Sequence, residues 1–185
     1  MNPQDPDAVR RAAVNEPDES WSDARLVEGY LRRVAAALGR APSIVVDSAD
    51  FDHYGSGYAS FADVFVTSRD GSRRGEDERH RWVDGLTVCL SRLAPFAVLC
   101  APELYTRSQD GLSGSSSLPS LESVVYPDLP GWEAECADVA AVLAEHGIRL
   151  LTPKVLGRPI RQAVETVLTD RPPYTVFDAW FHWMD

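Results

Sequence analysis

The sequence predicts an α+β fold, with a central antiparallel sheet and helices at both ends of the chain. Strand-like segments are concentrated between residues 43 and 100, and helix-like segments precede and follow this block. The chain has 185 residues, of which 44% are hydrophobic and 25% charged, as is typical of one globular domain. We predict a flexible acidic arm over residues 1–20, with three prolines and five acids, and a single α+β domain over residues 21–185.

The first predicted helix follows the arm. Ser20 and Asp23 give an S-x-x-D start, and Gly39 provides a stop. Its apolar stripe, at helical spacing, consists of Val27, Leu31, Val34 and Leu38. Residues 43–46 then predict a short buried strand.

Alternation of side chains predicts the next strands. In residues 58–67, one face carries Phe61, Asp63, Phe65 and Thr67, and the other carries Ala62, Val64 and Val66. Asp70 and Gly71 indicate a turn within a polar run over residues 68–81. Residues 82–93 fit a strand or a helix, and Gly85 together with the Thr-Val-Cys run favours the strand. Pro95 separates it from a strand over residues 96–100, which completes an antiparallel meander.

The second half of the chain returns to helices. Residues 108–120 contain six serines and two glycines, which predicts a flexible loop before a short strand over residues 123–126. Pro130 begins and Gly147 ends a helix whose stripe is Trp132, Cys136, Val139 and Leu143. A strand over residues 148–151 and a helix over residues 160–168 follow. Thr175 and Asp178 then form a capping box for a last short helix.

Composition argues against a membrane protein and against a nucleic-acid-binding protein. No apolar run approaches the ~18 residues of a membrane span, and the polar N-terminus has no signal-peptide core, so we expect no membrane partner. The net charge of −10 argues against a direct, sequence-independent grip on nucleic acid. Cys89, Cys100 and Cys136 lack C-x-x-C spacing and are typical of buried residues in a reducing compartment. We therefore expect a cytoplasmic protein.

One group of residues suggests metal chemistry. Asp47, Asp50, Asp52 and His53 follow a predicted strand, where carboxylates and an imidazole could hold a divalent cation that activates water. We favour a solvated acidic turn without a metal, because aspartate and serine favour turns by hydrogen bonding to nearby backbone, and the metal site is the alternative.

Other catalytic motifs are missing from the sequence. The glycine- and serine-rich stretch at residues 111–117 has no lysine, which a phosphate loop requires. There is no Gly-x-Ser-x-Gly elbow. The four histidines are scattered at His53, His80, His146 and His182. We predict no cofactor, and the sequence favours a protein without catalytic activity.

Charge is distributed in blocks along the chain. Residues 41–68 sum to −4 and residues 108–148 to −7, and neither block contains Arg or Lys, whereas residues 149–171 sum to +3. One-signed surfaces steer partners of opposite charge, although plain solubility also explains acidic runs. The acidic residues that we assign to partner binding are Asp47, Asp50, Asp52, Asp110, Glu133, Glu135 and Asp138.

The C-terminal tail is aromatic. Half of residues 174–183 are aromatic, and a short helix cannot place all of these rings on one face. We expect the tail to plug the core while one tryptophan, Trp180 or Trp183, contacts a partner.

Two segments carry a family resemblance. Residues 84–95, with the sequence Asp-Gly-Leu-Thr-Val-Cys-Leu-Ser-Arg-Leu-Ala-Pro, and residues 174–181, with Tyr-Thr-Val-Phe-Asp-Ala-Trp-Phe, resemble uncharacterised bacterial proteins associated with the immunity proteins of toxin systems. The resemblance implies a small protein that neutralises a toxin by one-to-one binding, and it assigns no functional residues.

The sequence thus supports three hypotheses. The leading one is a non-catalytic acidic protein that binds a basic partner, as an immunity-type inhibitor of a toxin does. The second is a metal-dependent hydrolase that uses Asp47, Asp50, Asp52 and His53. The third is an accessory subunit of a larger assembly, docked through its aromatic tail.

Overall fold

The computed structural model describes residues 1–55, 57–78, 80–108, 114–115, 118–125 and 129–184. The helices are α1 (Pro6–Ala12), α2 (Ala24–Leu38), α3 (Glu133–Glu145), α4 (Pro153–Leu156) and α5 (Val176–Trp180). The strands are β1 (Ile44–Asp50), β2 (Tyr58–Ala59), β3 (Phe61–Ser68), β4 (Arg74–Glu76), β5 (His80–Ser91), β6 (Phe96–Leu99), β7 (Glu103–Ser108), β8 (Gly114–Ser115), β9 (Arg149–Leu150) and β10 (Trp183–Met184). Short 3₁₀ turns cover Glu19–Trp21, His53–Gly55 and Leu121–Ser123.

A mixed sheet forms the centre of this α+β domain, with the strand order β1-β3-β5-β6-β9. The strands from β1 to β6 pair antiparallel, as the predicted meander requires, and β9 adds a parallel strand next to β6. The long strand β5 uses its second half for β3 and β6 and its first half for β4 and β7. A separate two-stranded ladder joins β10 to β2 near the C-terminus.

Helices cover the sheet on both faces. On one face, α2 and α3 pack over Ala62, Val64 and Val66 of β3, and on the other, α1 and α5 pack around Phe61. This division follows the alternation of β3, whose successive side chains point to opposite faces. Residues 61–67 were predicted to divide between the faces in this way, and the prediction is confirmed.

Helix α2 illustrates how the sequence determines a local boundary. Its N-cap is Asp23, which accepts hydrogen bonds from the amides of Arg25 and Leu26, both at 3.1 Å. The predicted start at Ser20 is therefore three residues early, since Ser20 lies in the preceding 3₁₀ turn. All four residues of the predicted stripe are buried, and Gly39 is the C-cap.

Residues 1–20 differ from the predicted flexible arm. Helix α1 begins with Asp5 as its N-cap and proline in its first turn, and it buries Ala8, Val9 and Ala12. The indole nitrogen of Trp180 donates a hydrogen bond to the carbonyl of Pro3 at 3.0 Å. This segment supplies one wall of the core cluster that contains the aromatic tail.

The predicted helix over residues 160–168 is wrong. The amide of Ile160 donates to the carbonyl of Tyr174 at 2.9 Å, and that of Val167 to Trp183 at 2.8 Å. Long-range backbone bonds thus replace the helical ones. The apolar residues of this segment still belong to the core: Val164 is buried, and Ile160 and Leu168 pack against the same cluster.

The serine-rich segment is only partly described. Of the predicted loop over residues 108–120, residues 109–113 and 116–117 lie outside the described residues, and the described part includes strand β8. Of the predicted strand over residues 123–126, Val124 forms an isolated bridge with Cys100, and residue 126 is not described.

The aromatic tail plugs the core, as expected. The Thr175–Asp178 capping box is present at the start of α5. Trp180 is 1% exposed and meets the ring of Phe96 edge-on at 5.0 Å. Trp180 is therefore not accessible to a partner. Trp183 is half-buried in β10, with its ring 5.6 Å from that of Tyr54.

We predict that Trp180→Ala lowers the free energy of unfolding by roughly 3–5 kcal/mol, because the truncation removes a buried indole and leaves a cavity. Denaturant unfolding measures the loss. Trp82→Ala is the matched control, since Trp82 is 36% exposed, and its loss should be clearly smaller. Equal losses for the two variants would contradict the placement of Trp180 in the core.

Candidate functional site

A cleft on the sheet collects acidic and phenolic side chains. It has a volume of about 210 Å³ and lies where β1, β3, β5 and β7 meet the 53–55 turn. The polar residues that define this acidic cleft are Asp50, Tyr54, Asp63, Thr87, Glu103 and Tyr105. Its lining includes three carboxylates and no Arg, Lys or His.

The strand register explains why these residues meet. Asp50 of β1 pairs with Asp63 of β3, and Asp63 pairs with Cys89 of β5. On this face of β3, Phe61 lies in the cluster under α1 and α5, whereas Asp63 and the next residue on the face, Phe65, line the cleft. A carboxylate on a central strand therefore faces a cavity where an apolar side chain would ordinarily pack.

The turn at residues 53–55 places Tyr54 over the acids. His53, Tyr54 and Gly55 all have positive φ, at 54°, 56° and 80°. Bulky residues rarely adopt this left-handed conformation, and such strain is concentrated at functional sites. The carboxylate of Asp50 stabilises the turn by accepting hydrogen bonds from the amides of Asp52 at 2.8 Å and Tyr54 at 3.2 Å.

The carboxyl group of Asp63 has a raised pKa. Burial raises the pKa of Asp63 to about 6, and the charges of Asp50 and Glu103 add to this effect. The hydroxyl of Tyr54 donates to Oδ2 of Asp63 at 3.0 Å, which opposes the rise by stabilising the ionised form. The pKa of Tyr54 is in turn raised by burial and by the charge of Asp63, so Tyr54 remains a donor.

This arrangement is suited to binding a cation. Among the described residues, neither Asp50 nor Asp63 forms a salt bridge. An ionised carboxylate that is desolvated without a cation is destabilising, and a positively charged ligand would remove that cost. Tyr105 and Phe65, whose rings lie 5.9 Å apart, supply an aromatic wall.

The four residues of the alternative metal site do not converge. Asp47 is exposed on β1 and forms a salt bridge with Arg74 at 3.5 Å, and Asp52 is exposed in the following loop. His53 lines a different cavity, where its Nδ1 accepts a hydrogen bond from the amide of Ala59 at 3.0 Å. Within the described part of the chain, no group of three or more His, Cys, Asp or Glu residues is placed to hold a metal.

The acidic residues of α3 belong elsewhere in the structure. Glu133 is exposed, whereas Glu135 and Asp138 are half-buried and accept hydrogen bonds from the Ser68 hydroxyl and the Ser43 amide respectively. Helix α3 covers the face of the sheet opposite to Asp63, so the two acidic blocks do not form one surface. Asp110 lies outside the described residues.

Sequence reasoning did not assign Asp63, Tyr54, Glu103 or Tyr105 to a site. The sequence does mark Asp63 as unusual, because it is the one charged residue in the strand over residues 58–67 and shares a face with Phe61 and Phe65. No sequence feature marks Glu103 or Tyr105 as a site residue, because their position in the cleft depends on the pairing of β7 with β5.

Comparisons of this chain with protein-family models, curated proteins and solved structures find no match. Within the described residues, no helix combines the length and apolar character needed to cross a bilayer.

We predict that Asp63→Asn is more stable than the wild type at pH 7.5, by on the order of 1–3 kcal/mol. The folded pKa of about 6 lies above the ordinary 3.8, so the folded state binds more protons between these values and this group lowers stability as pH rises through them. Asparagine removes the buried charge. The gain should shrink by pH 4.5, where Asp63 is protonated in the folded protein.

Chemical denaturation at the two pH values checks this expectation. Asp52→Asn is the matched control, because Asp52 is exposed and forms no salt bridge with any described residue. A loss of stability in Asp63→Asn at pH 7.5 would show that the charge of Asp63 is compensated inside the fold.

Proposed function

We propose that this protein is a non-catalytic binding protein that receives a basic side chain of a protein partner in the acidic cleft. One observation carries the proposal: three carboxylates line a cavity of about 210 Å³ whose lining contains no basic residue. A guanidinium or ammonium group would meet Asp50 and Asp63 there, and charge-assisted hydrogen bonds are among the stronger contacts available to proteins.

Arginine fits this cleft better than lysine. Its planar guanidinium stacks on aromatic rings and forms paired hydrogen bonds with carboxylates, whereas an ammonium is a compact, strongly hydrated charge. The cleft offers both partners, because the ring of Tyr105 and the carboxylates of Asp50 and Asp63 line the same cavity.

An immunity-type inhibitor of a basic toxin is the specific form of this function that we favour. The net charge of −10 would attract a basic toxin over long range and speed its association. A cleft in which Asp50 and Asp63 form no salt bridge with any described residue fits a protein whose task is one tight contact with a cation. Such an inhibitor would act in the cytoplasm of the bacterium that makes the toxin.

We expect N-acetyl-arginine amide to shift the amide resonances of Phe65, Thr87 and Tyr105 in an ¹⁵N NMR titration. N-acetyl-citrulline amide, which has the same shape without the charge, should leave them unmoved. Binding of the arginine probe should weaken as salt rises, because the Debye length falls from ~10 Å at 0.1 M to ~3 Å at 1 M. It should also strengthen between pH 5 and pH 7 as Asp63 ionises.

Two variants separate the cleft from the general acidity of the chain. Asp63→Asn combined with Glu103→Gln should abolish the response to the arginine probe. Glu133→Gln should keep it, because Glu133 is exposed on α3, away from the cleft. Equal responses to the two probes, or an unchanged response in the double variant, would contradict the proposal.

A cellular experiment addresses the immunity-type form. If the neighbouring gene encodes a basic toxin, co-expression of the wild-type chain should restore growth, and the cleft double variant should not. Full protection by the double variant would show that neutralisation uses another surface.

A further inference from the structure

A second cavity lies next to the 53–55 turn, and the positively charged side chain of Arg92 forms part of its wall. Its volume is about 340 Å³, and it separates α2 from the loop that follows β5. The residues that define this Arg92 cavity are Trp21, Ala24, Val27, His53, Tyr58 and Arg92. Consecutive residues of the turn thus serve different cavities, Tyr54 the acidic cleft and His53 the Arg92 cavity.

The guanidinium of Arg92 is fixed in place by backbone carbonyls. Its Nε donates to Phe61 at 3.2 Å and its Nη2 to Phe51 at 2.8 Å. Among the described residues, Nη1 has no hydrogen-bond acceptor and Arg92 has no salt bridge. Burial lowers the pKa of Arg92, which remains charged. The charges of Glu28 and Asp50 act on this guanidinium, but neither carboxylate forms a salt bridge with it.

The neighbouring charges favour a ligand with a single negative charge. Glu28 lines the cavity, but Arg32 holds its carboxylate at 2.7 Å, so that pair is neutral as a whole. Arg92 therefore keeps a guanidinium edge to which no carboxylate of the described residues is hydrogen bonded. A carboxylate suits the planar guanidinium, while a phosphate dianion would bring more negative charge than the cavity neutralises.

Most of the wall opposite Arg92 is apolar or aromatic, although Asn15 and Ser22 also line the cavity. The imidazole of His53 stacks on the ring of Tyr58, with centroids 5.2 Å apart and planes at 27°. Nδ1 of His53 accepts from the Ala59 amide, and burial and the charge of Arg92 lower the pKa of His53, so this ring is neutral at pH 7. Trp21, Val27 and Leu93 add further apolar surface. Flat rings beside a fixed charge are suited to a flat, apolar ligand body.

We propose that the Arg92 cavity binds a small aromatic carboxylate. The carboxylate accepts hydrogen bonds from the free side of the Arg92 guanidinium, and the ring of the ligand packs between α2 and the His53–Tyr58 pair. The site is independent of the proposed function, because it uses a separate cavity and a ligand of opposite charge.

Titration with benzoate, followed by ¹⁵N NMR of the full chain, tests the proposal. Benzoate should shift the amides of Tyr58, Arg92 and Leu93 in a saturable manner. Benzamide has the same ring without the charge, and it should bind about tenfold more weakly or worse, since it forms no charge-assisted hydrogen bonds. Inorganic phosphate should bind more weakly than benzoate.

Three variants complete the test. Arg92→Gln should abolish benzoate binding. Ala24→Phe should also abolish benzoate binding, because the added ring fills the cavity from the exposed start of α2. This substitution leaves Arg92 and its carbonyl partners unchanged. It therefore tests the proposal even if Arg92→Gln fails to fold. Leu26→Phe, at a 71% exposed position outside the cavity, should bind benzoate normally. Equal affinities for benzoate and benzamide, stronger binding of phosphate, or unchanged binding in Ala24→Phe would overturn the proposal.

Discussion

Strand β5 is the element on which the rest of the structure depends. Its twelve residues pair with β3 and β6 in the second half and with β4 and β7 in the first half. Gly85 lies where the two halves meet, and a Cβ there would fall 2.5 Å from both the ring of Phe65 and the carbonyl of Val66. Only glycine allows β3 to approach β5 this closely at the junction.

The acidic cleft is a consequence of this pairing. Because β5 continues beyond the part of the sheet that α1 and α5 cover, polar side chains of β1, β3 and β7 share a cleft that is lined by no helix of the described residues except the short 53–55 turn. The stability of the domain rests on the apolar layers on either side of the sheet. Desolvated carboxylates in the cleft can therefore lower the free energy of unfolding without preventing folding. The proposed function requires that the residues that bind a ligand differ in this way from those that stabilise the domain.

The sequence predicted the elements whose signals are local. Helix α2, the capping box of α5 and the alternation in β3 depend on residues close together in the chain, and all three are confirmed. The signals of α1 were also present, because Asp5 and Pro6 form a standard helix start, but the acidic and proline-rich composition outweighed them.

What the sequence could not show depends on distant contacts. Residues 160–168 have helical spacing, yet their amides bond to Tyr174 and Trp183. The acidic cleft also depends on contacts between distant residues. Asp50 was assigned to partner binding from the sequence, but strand register brings Asp63 and Glu103 next to it. Charge blocks along the chain did not predict surfaces, because α3 and the cleft lie on opposite faces of the sheet.

The most direct test of this account is the titration of the Asp63 carboxyl carbon by ¹³C NMR. The account predicts a midpoint at about pH 6 in the wild type. It also predicts a higher midpoint in Tyr54→Phe, where the ionised form loses its hydrogen bond. A midpoint near the ordinary value of 3.8 would contradict the account, because it would mean that Asp63 is solvated or paired with a cation and that the cleft has no unmatched charge for a ligand.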